Sequence, residues 1–109
     1  MKAVIYGRYS SDRQTEDSIE AQVRACTDYA AAKGYVLVGQ YTDEAISGKG
    51  EKTASRTQYQ RMLKDSAHGM FDIILIHKYD RVARNLAEHV NLEKRLDKNG
   101  VQLIATAQD

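Results

Sequence analysis

The run Phe71-Asp72-Ile73-Ile74-Leu75-Ile76 restricts this chain more than any other stretch. It is short and almost continuously apolar, which suits a central parallel strand covered on both faces. Such a strand needs neighbours, and three further apolar runs supply them: Ala3-Val4-Ile5-Tyr6, Tyr35 to Tyr41, and Val101 to Thr106. Segments with helical periodicity lie between them, so the order is β-α-β-α-β-α-β. Right-handed crossovers turn that order into a parallel sheet with helices on both faces. The expected fold is α/β and three-layered, with a mainly parallel sheet in the order 2-1-3-4 and a switch point between strands one and three.

The helices carry their own boundary signals. Asp17 can cap the first, with Glu20 as its box partner. Ile19, Val23, Cys26 and Ala30 follow helical spacing, and Gly34 sits where a left-handed terminal residue belongs. The second helix is expected from near Ser55, with Tyr59, Met62, Leu63 and Ala67 inward and Gly69 as its stop. The third spans Leu86 to Lys98, with Leu86, Val90 and Leu96 inward, and stops at Gly100. Thr42 to Ala54 is polar and glycine-bearing, and reads as a mobile surface loop.

At 109 residues the chain is long enough for one domain with a real core. Its net charge of +1 gives no global signal for a polyanionic partner, so any nucleic-acid contact must come from local clusters of Arg and Lys. Cys26 is the only cysteine, which excludes a disulfide framework and points to inert packing on a helix face. His68, His77 and His89 lack ligand spacing with acids or cysteines, so no metal site is expected. No signal-peptide core or membrane-length apolar run is present, so an intracellular, cytoplasmic protein is expected.

Chemistry concentrates in two polar stretches that follow strands. The first strand runs directly into Arg8, Ser10, Ser11, Arg13 and Gln14, and the third into Asp80, Arg81, Arg84 and Asn85. The 2-1-3-4 order brings both stretches to the carboxyl edge of the sheet, where open α/β sheets bind ligands. A serine hydroxyl, several arginines and a carboxylate then surround one point. Arg8 shares a strand face with Tyr6 and Ser10 by the period of two. Arg81 and Arg84 share a helical face if the third helix begins early. Guanidinium groups grip phosphate oxygens at two points, and a serine nucleophile splits a transfer into two steps. Asp80 can orient an arginine, act as a general acid or simply cap the third helix. Tyr6 reads as a wall below the site.

With those residues in place, the chain resembles the serine site-specific recombinases of the resolvase/invertase family. Tyr6-Gly7-Arg8-Tyr9-Ser10 followed by Gln14 resembles their Y-x-R-x-S signature, and Asp80-Arg81-x-x-Arg84 their D-R-x-x-R element. Ser47-Gly48 and then Arg56 resemble the S-G loop and its following arginine. Ser18 to Gln22 resembles the start of the first helix, where a glutamine lies near the active site. The four matches are in register over nearly the whole chain.

The resemblance implies a resolvase-like catalytic domain over residues 1–109. Ser10 would attack a DNA phosphodiester, giving a 5′-phosphoserine link and a free 3′-hydroxyl. Arg8, Arg81 and Arg84 would stabilise the phosphate in flight. Arg56 would approach from the loop side, Asp80 would assist the leaving group or orient an arginine, and Gln22 and Gln14 would give support. It implies no metal or nucleotide cofactor. The implied partners are double-stranded DNA and further copies of the chain, as a dimer and a synaptic tetramer in which the site is assembled. Arg84-Asn85 and the longer loop before Arg56 lean toward the large serine recombinases of phage integrase and transposon type. Family members continue into a long helix and DNA-binding domains, so this chain reads as a catalytic core excised from a longer prokaryotic protein, or as a truncated gene product. Gly48 to Thr53 fails the spacing of a nucleotide phosphate loop and reads as a solvated flexible loop, with Lys49 and Lys52 as candidate contacts to the DNA backbone. The competing reading is a non-catalytic, flavodoxin-like domain whose arginines hold an anion. A small phosphate-ester hydrolase is a third, weaker one.

Overall fold

The structure is a computed structural model and describes residues 1–10, 18–45, 57–79 and 86–107, with the side chains of Tyr9, Ser10, Glu44 and Ala45 outside that description. The elements are β1 (Lys2–Ser10), α1 (Ile19–Lys33), β2 (Val36–Ala45), α2 (Thr57–Ser66), β3 (Ile73–Ile76), α3 (Leu86–Lys98) and β4 (Gln102–Ala105). The four strands form one parallel sheet, as the alternation predicts, in the order β2-β1-β3-β4 expected from the common doubly wound pattern.

Two apolar layers flank the sheet. On one face Ala3, Ile5, Ile73, Leu75 and Ile104 pack against Cys26 and Ala30 of α1. On the other, Val4, Tyr6, Ile74, Ile76 and Leu103 meet Tyr59, Met62 and Leu63 of α2 and Leu92 and Leu96 of α3. The alternation Ala3/Ile5 against Val4/Tyr6 is the strand period of two feeding opposite layers. All four residues of β3 are buried, as a covered central strand requires. Asp72 ties down the amino edge of the sheet. Its N–H donates to the Lys2 carbonyl at 2.8 Å, its Oδ2 accepts the Lys2 N–H at 3.0 Å, and its carbonyl accepts from Gln102 at 2.9 Å.

Several expectations are corrected. The residue that caps α1 is Ser18, whose Oγ accepts the Ala21 N–H at 3.3 Å; Asp17 lies outside the described residues. At the other end Gly34 takes the left-handed conformation predicted for it, with φ 77°. Thr42 to Ala45 is not loop but the end of β2, because its backbone stays paired with β1 as far as Ser10. The rest of the expected loop, 46–54, lies outside the described residues. Ala67 falls beyond α2 and is exposed. The buried residue there is Ser66, whose hydroxyl donates to the Leu63 carbonyl at 2.6 Å and accepts from Asn99 Nδ2 at 3.1 Å. On α3 the inward stripe is Leu92 and Leu96, whereas Leu86 is 76% exposed and Val90 39%. A single helix turn can be rotated about its axis without breaking the apolar period, and the contact with β4 sets the rotation that α3 adopts.

Candidate active site

The carboxyl edge of the sheet is not level. β1 pairs with β3 only from Ala3 to Ile5, yet it pairs with β2 out to Ser10↔Ala45. The last residues of β1 therefore run past β3 as a two-stranded ribbon with β2. A bulge sets the register of that ribbon. Ala3 lies opposite Leu37 and Val4 opposite Gly39, so Val38 is the extra residue. The shift places Arg8 directly opposite Asp43.

Helix α1 grips the ribbon through Gln22. This amide is fully buried, and its polar atoms are satisfied by the backbone of one residue. Gln22 Oε1 accepts the Arg8 N–H at 3.2 Å, and Gln22 Nε2 donates to the Arg8 carbonyl at 2.9 Å. A buried amide is costly unless it is bonded, so the pair of bonds fixes both the side chain and the strand. Gly7 makes the approach possible. A Cβ there would overlap Ile19 Cδ1 and sit 3.3 Å from Gln22 Oε1.

On the opposite face stands a carboxylate that the sequence reading missed. Asp43 is 6% exposed and accepts three hydrogen bonds. The Tyr6 hydroxyl and the Tyr59 N–H donate to Oδ2, each at 2.9 Å, and the Gln58 N–H donates to Oδ1 at 2.9 Å. Asp43 thus caps α2 from a neighbouring strand. That helix has no acidic residue in its own first turn, so Asp43 supplies the negative charge its amino end favours. Tyr6, fully buried, also packs edge-on against Tyr59, with centroids 5.5 Å apart. The signal for Asp43 lay in the period of two. Tyr41 is buried toward α2, and Asp43 repeats its position two residues on.

Of the predicted site residues, Tyr6, Arg8 and Gln22 are brought together at the end of β1, and Ser10 follows as the last strand residue. Arg8 is half-buried. Gln14, Lys49, Lys52, Arg56, Asp80, Arg81 and Arg84 lie outside the described residues. Their flanking residues are described: Thr57, after Arg56, opens the helix capped by Asp43, and Tyr79, before Asp80, follows the carboxyl end of β3. Helix α3 is described from Leu86, so the helical face expected for Arg81 and Arg84 falls outside the described residues.

Two groups away from this edge have shifted acidities. Burial pushes the Cys26 thiol up to about 11, against a smaller lowering by Thr106. Burial, then the 2.6 Å hydrogen bond to Asp65, pushes the Tyr41 phenol up to about 12. Neither group is poised to react near neutral pH. Among the described residues, no helix is long and apolar enough to cross a membrane.

Comparison with known proteins agrees with this geometry. The family model "Resolvase, N terminal domain" matches residues 3–109. A Bacillus subtilis (strain 168) protein named "Putative DNA recombinase" is 28% identical over 102 residues, which is 92% of this chain and 19% of that protein. The chain therefore spans about a fifth of the length of that curated relative. The N-terminal catalytic domain of TP901-1 integrase superposes with a TM-score of 0.82 at 30% identity, covering 99% of this chain and 78% of that one. A resolvase family site-specific recombinase from Streptococcus pneumoniae gives 0.82 at 30% identity, with coverage of 99% and 73%. The catalytic domain of ISC1926 TnpA, an IS607-like serine recombinase, gives 0.77 at 32% identity, with coverage of 97% and 67%. With nearly its whole length matched by that family model, the chain belongs to the resolvase N-terminal domain family.

Proposed function

We propose that this chain is the catalytic domain of a site-specific DNA recombinase that cuts and rejoins DNA through a phosphoserine intermediate. Ser10 Oγ loses its proton and attacks the phosphorus of a DNA phosphodiester. The bond to the 3′ oxygen breaks, that oxygen takes up a proton, and a 5′-phosphoserine link remains. Attack by a 3′-hydroxyl reverses the step and rejoins the strand. Because the phosphodiester energy is kept in the serine ester, no outside energy source is required.

The observation that carries this reading is the double hold on Arg8. Gln22 bonds both backbone groups of that residue, and Arg8 lies opposite the buried Asp43, two positions before Ser10. A guanidinium that must meet a phosphate in flight gains from a backbone that does not move. Arg81, Arg84 and Arg56 would complete the neutralisation of the equatorial oxygens, and Asp80 would protonate the leaving oxygen or orient an arginine. Gln22, Tyr6 and Gln14 support the strand and loop, and Lys49 and Lys52 contact the DNA backbone. The working form pairs two dimers on double-stranded DNA. Arg84-Asn85 and the longer segment before Arg56 lean toward the large serine recombinases of integrase and transposon type.

The test uses the longest protein the reading frame encodes, incubated with DNA carrying its site, with and without Mg²⁺. A covalent protein–DNA adduct mapped to Ser10 and absent in Ser10→Ala supports the mechanism. Site binding with no adduct overturns it in favour of an anion-holding domain, and an adduct on a tyrosine overturns the choice of nucleophile.

A further inference from the structure

Gly7 is a glycine with no backbone reason to be one. Unlike Gly34, Gly69 and Gly100 it does not have a positive φ, so an L side chain fits its conformation. Glycine inside a strand weakens the strand and marks a place where another element comes close. Here that element is the first turn of α1. Ser18 fixes the turn: its Oγ accepts the Ala21 N–H at 3.3 Å, and its carbonyl accepts the Gln22 N–H at 3.0 Å. Ile19 and Gln22 are three residues apart and meet β1 from one face of the turn. The Ile19 δ-methyl fills the space that a Cβ on Gly7 would take. Ile19 Cγ1 lies 3.7 Å from that position, an ordinary contact. Beside this plug, Gln22 spans both backbone groups of the next residue, Arg8.

From this fit we infer that Ile19 is a positioning residue for Arg8, acting through Gln22. The δ-methyl against Gly7 sets how deeply α1 seats on β1. That depth decides whether one amide side chain can reach the N–H and the carbonyl of Arg8 together. The two bonds are 3.2 and 2.9 Å long, and a shift of about an ångström would carry both beyond hydrogen-bond range. The guanidinium would then meet the phosphate from a strand that is no longer held. An error of that size in placement costs up to about a hundredfold in rate. This inference rests on the recombinase reading, because only that reading gives Arg8 a reacting role.

The experiment moves one methyl group from the helix to the strand. Ile19→Val removes the δ-methyl, and Gly7→Ala supplies a methyl in the same space. Both variants and their combination are made in the longest protein the reading frame encodes. Ser10–DNA adduct formation is measured at saturating DNA. Ile19→Val should slow it about threefold and Gly7→Ala about tenfold, with DNA affinity unchanged. The double variant should return to within about twofold of wild type, because the space is filled again. Losses that multiply to about thirtyfold in the double variant overturn the inference. Amide hydrogen exchange gives the second readout. The Arg8 N–H should exchange faster in each single variant and return toward wild type in the double, with Ile5 and Leu75 unchanged. Unaltered Arg8 exchange in both single variants, or a wild-type adduct rate in Ile19→Val, overturns this inference alone. Bound DNA without any adduct in wild type overturns the recombinase reading and this inference with it.

Discussion

The Tyr6 hydroxyl donates to Asp43 Oδ2 at 2.9 Å, and this one contact joins three elements. Tyr6 belongs to β1, Asp43 to β2, and the Asp43 carboxylate also accepts the Gln58 and Tyr59 N–H groups in the first turn of α2. The end of β1, which carries Arg8 and Ser10, is thereby tied to the helix that Arg56 precedes. A carboxylate with charge-assisted bonds is stronger in this role than a neutral cap.

Removing the carboxylate should be costly. Asp43→Ala leaves the Tyr6 hydroxyl and two amide groups without their acceptor, and should destabilise the fold by about 3 kcal/mol. Tyr6→Phe leaves the helix cap in place and should cost about 1 kcal/mol. In the double variant the two losses should not add, because both remove the same bond. Urea unfolding followed by circular dichroism measures all three.

The Gln22 clamp makes a different prediction. Gln22→Glu keeps an acceptor for the Arg8 N–H but sets a carboxylate oxygen against the Arg8 carbonyl, and should cost about 2 kcal/mol. Gly7→Ala forces Ile19 and Gln22 to give way, and should cost about 1–2 kcal/mol. Both variants should also slow Ser10 adduct formation, because each loosens the strand that carries the proposed nucleophile.

The rotation of α3 can be read from two leucines. Leu92 is 4% exposed, and Leu92→Ala should cost about 2–4 kcal/mol. Leu86 is largely exposed, and Leu86→Ser should change stability by no more than about 0.5 kcal/mol. Equal losses at the two positions would contradict the observed face.

Alkaline pH should unfold the protein through two groups. Cys26 rises from 9.0 to about 11 and Tyr41 from 10.0 to about 12, so the fold holds both in their neutral forms. Groups raised in the fold contribute stability that is complete below their unfolded values and is lost as pH climbs through the folded ones. Stability should therefore be insensitive to these groups below about pH 9 and decline from there to about pH 12. Cys26→Ser and Tyr41→Phe should each flatten part of that decline in pH-dependent denaturation. Near neutral pH, Cys26 should resist alkylation until the protein unfolds.

Much of the architecture was legible in the residues themselves. The apolar run around Ile73 to Ile76, the alternating periodicities and the helix stops at Gly34, Gly69 and Gly100 are local signals, and local signals survive without knowledge of the fold. They determined the element order and the parallel sheet. The motif residues themselves stood in plain view because the family spacing is a property of the chain. What only the tertiary structure decided depends on pairing between distant segments. Thr42 to Ala45 looks like loop by composition and becomes strand because β1 offers it a backbone partner. Asp43 becomes a helix cap because the bulge at Val38 sets its register and α2 starts above it. Gln22 becomes a clamp because Gly7 lets α1 come close. Leu86 turns outward and His89 inward because a helix with several apolar positions has no preferred rotation until a sheet is there to set it.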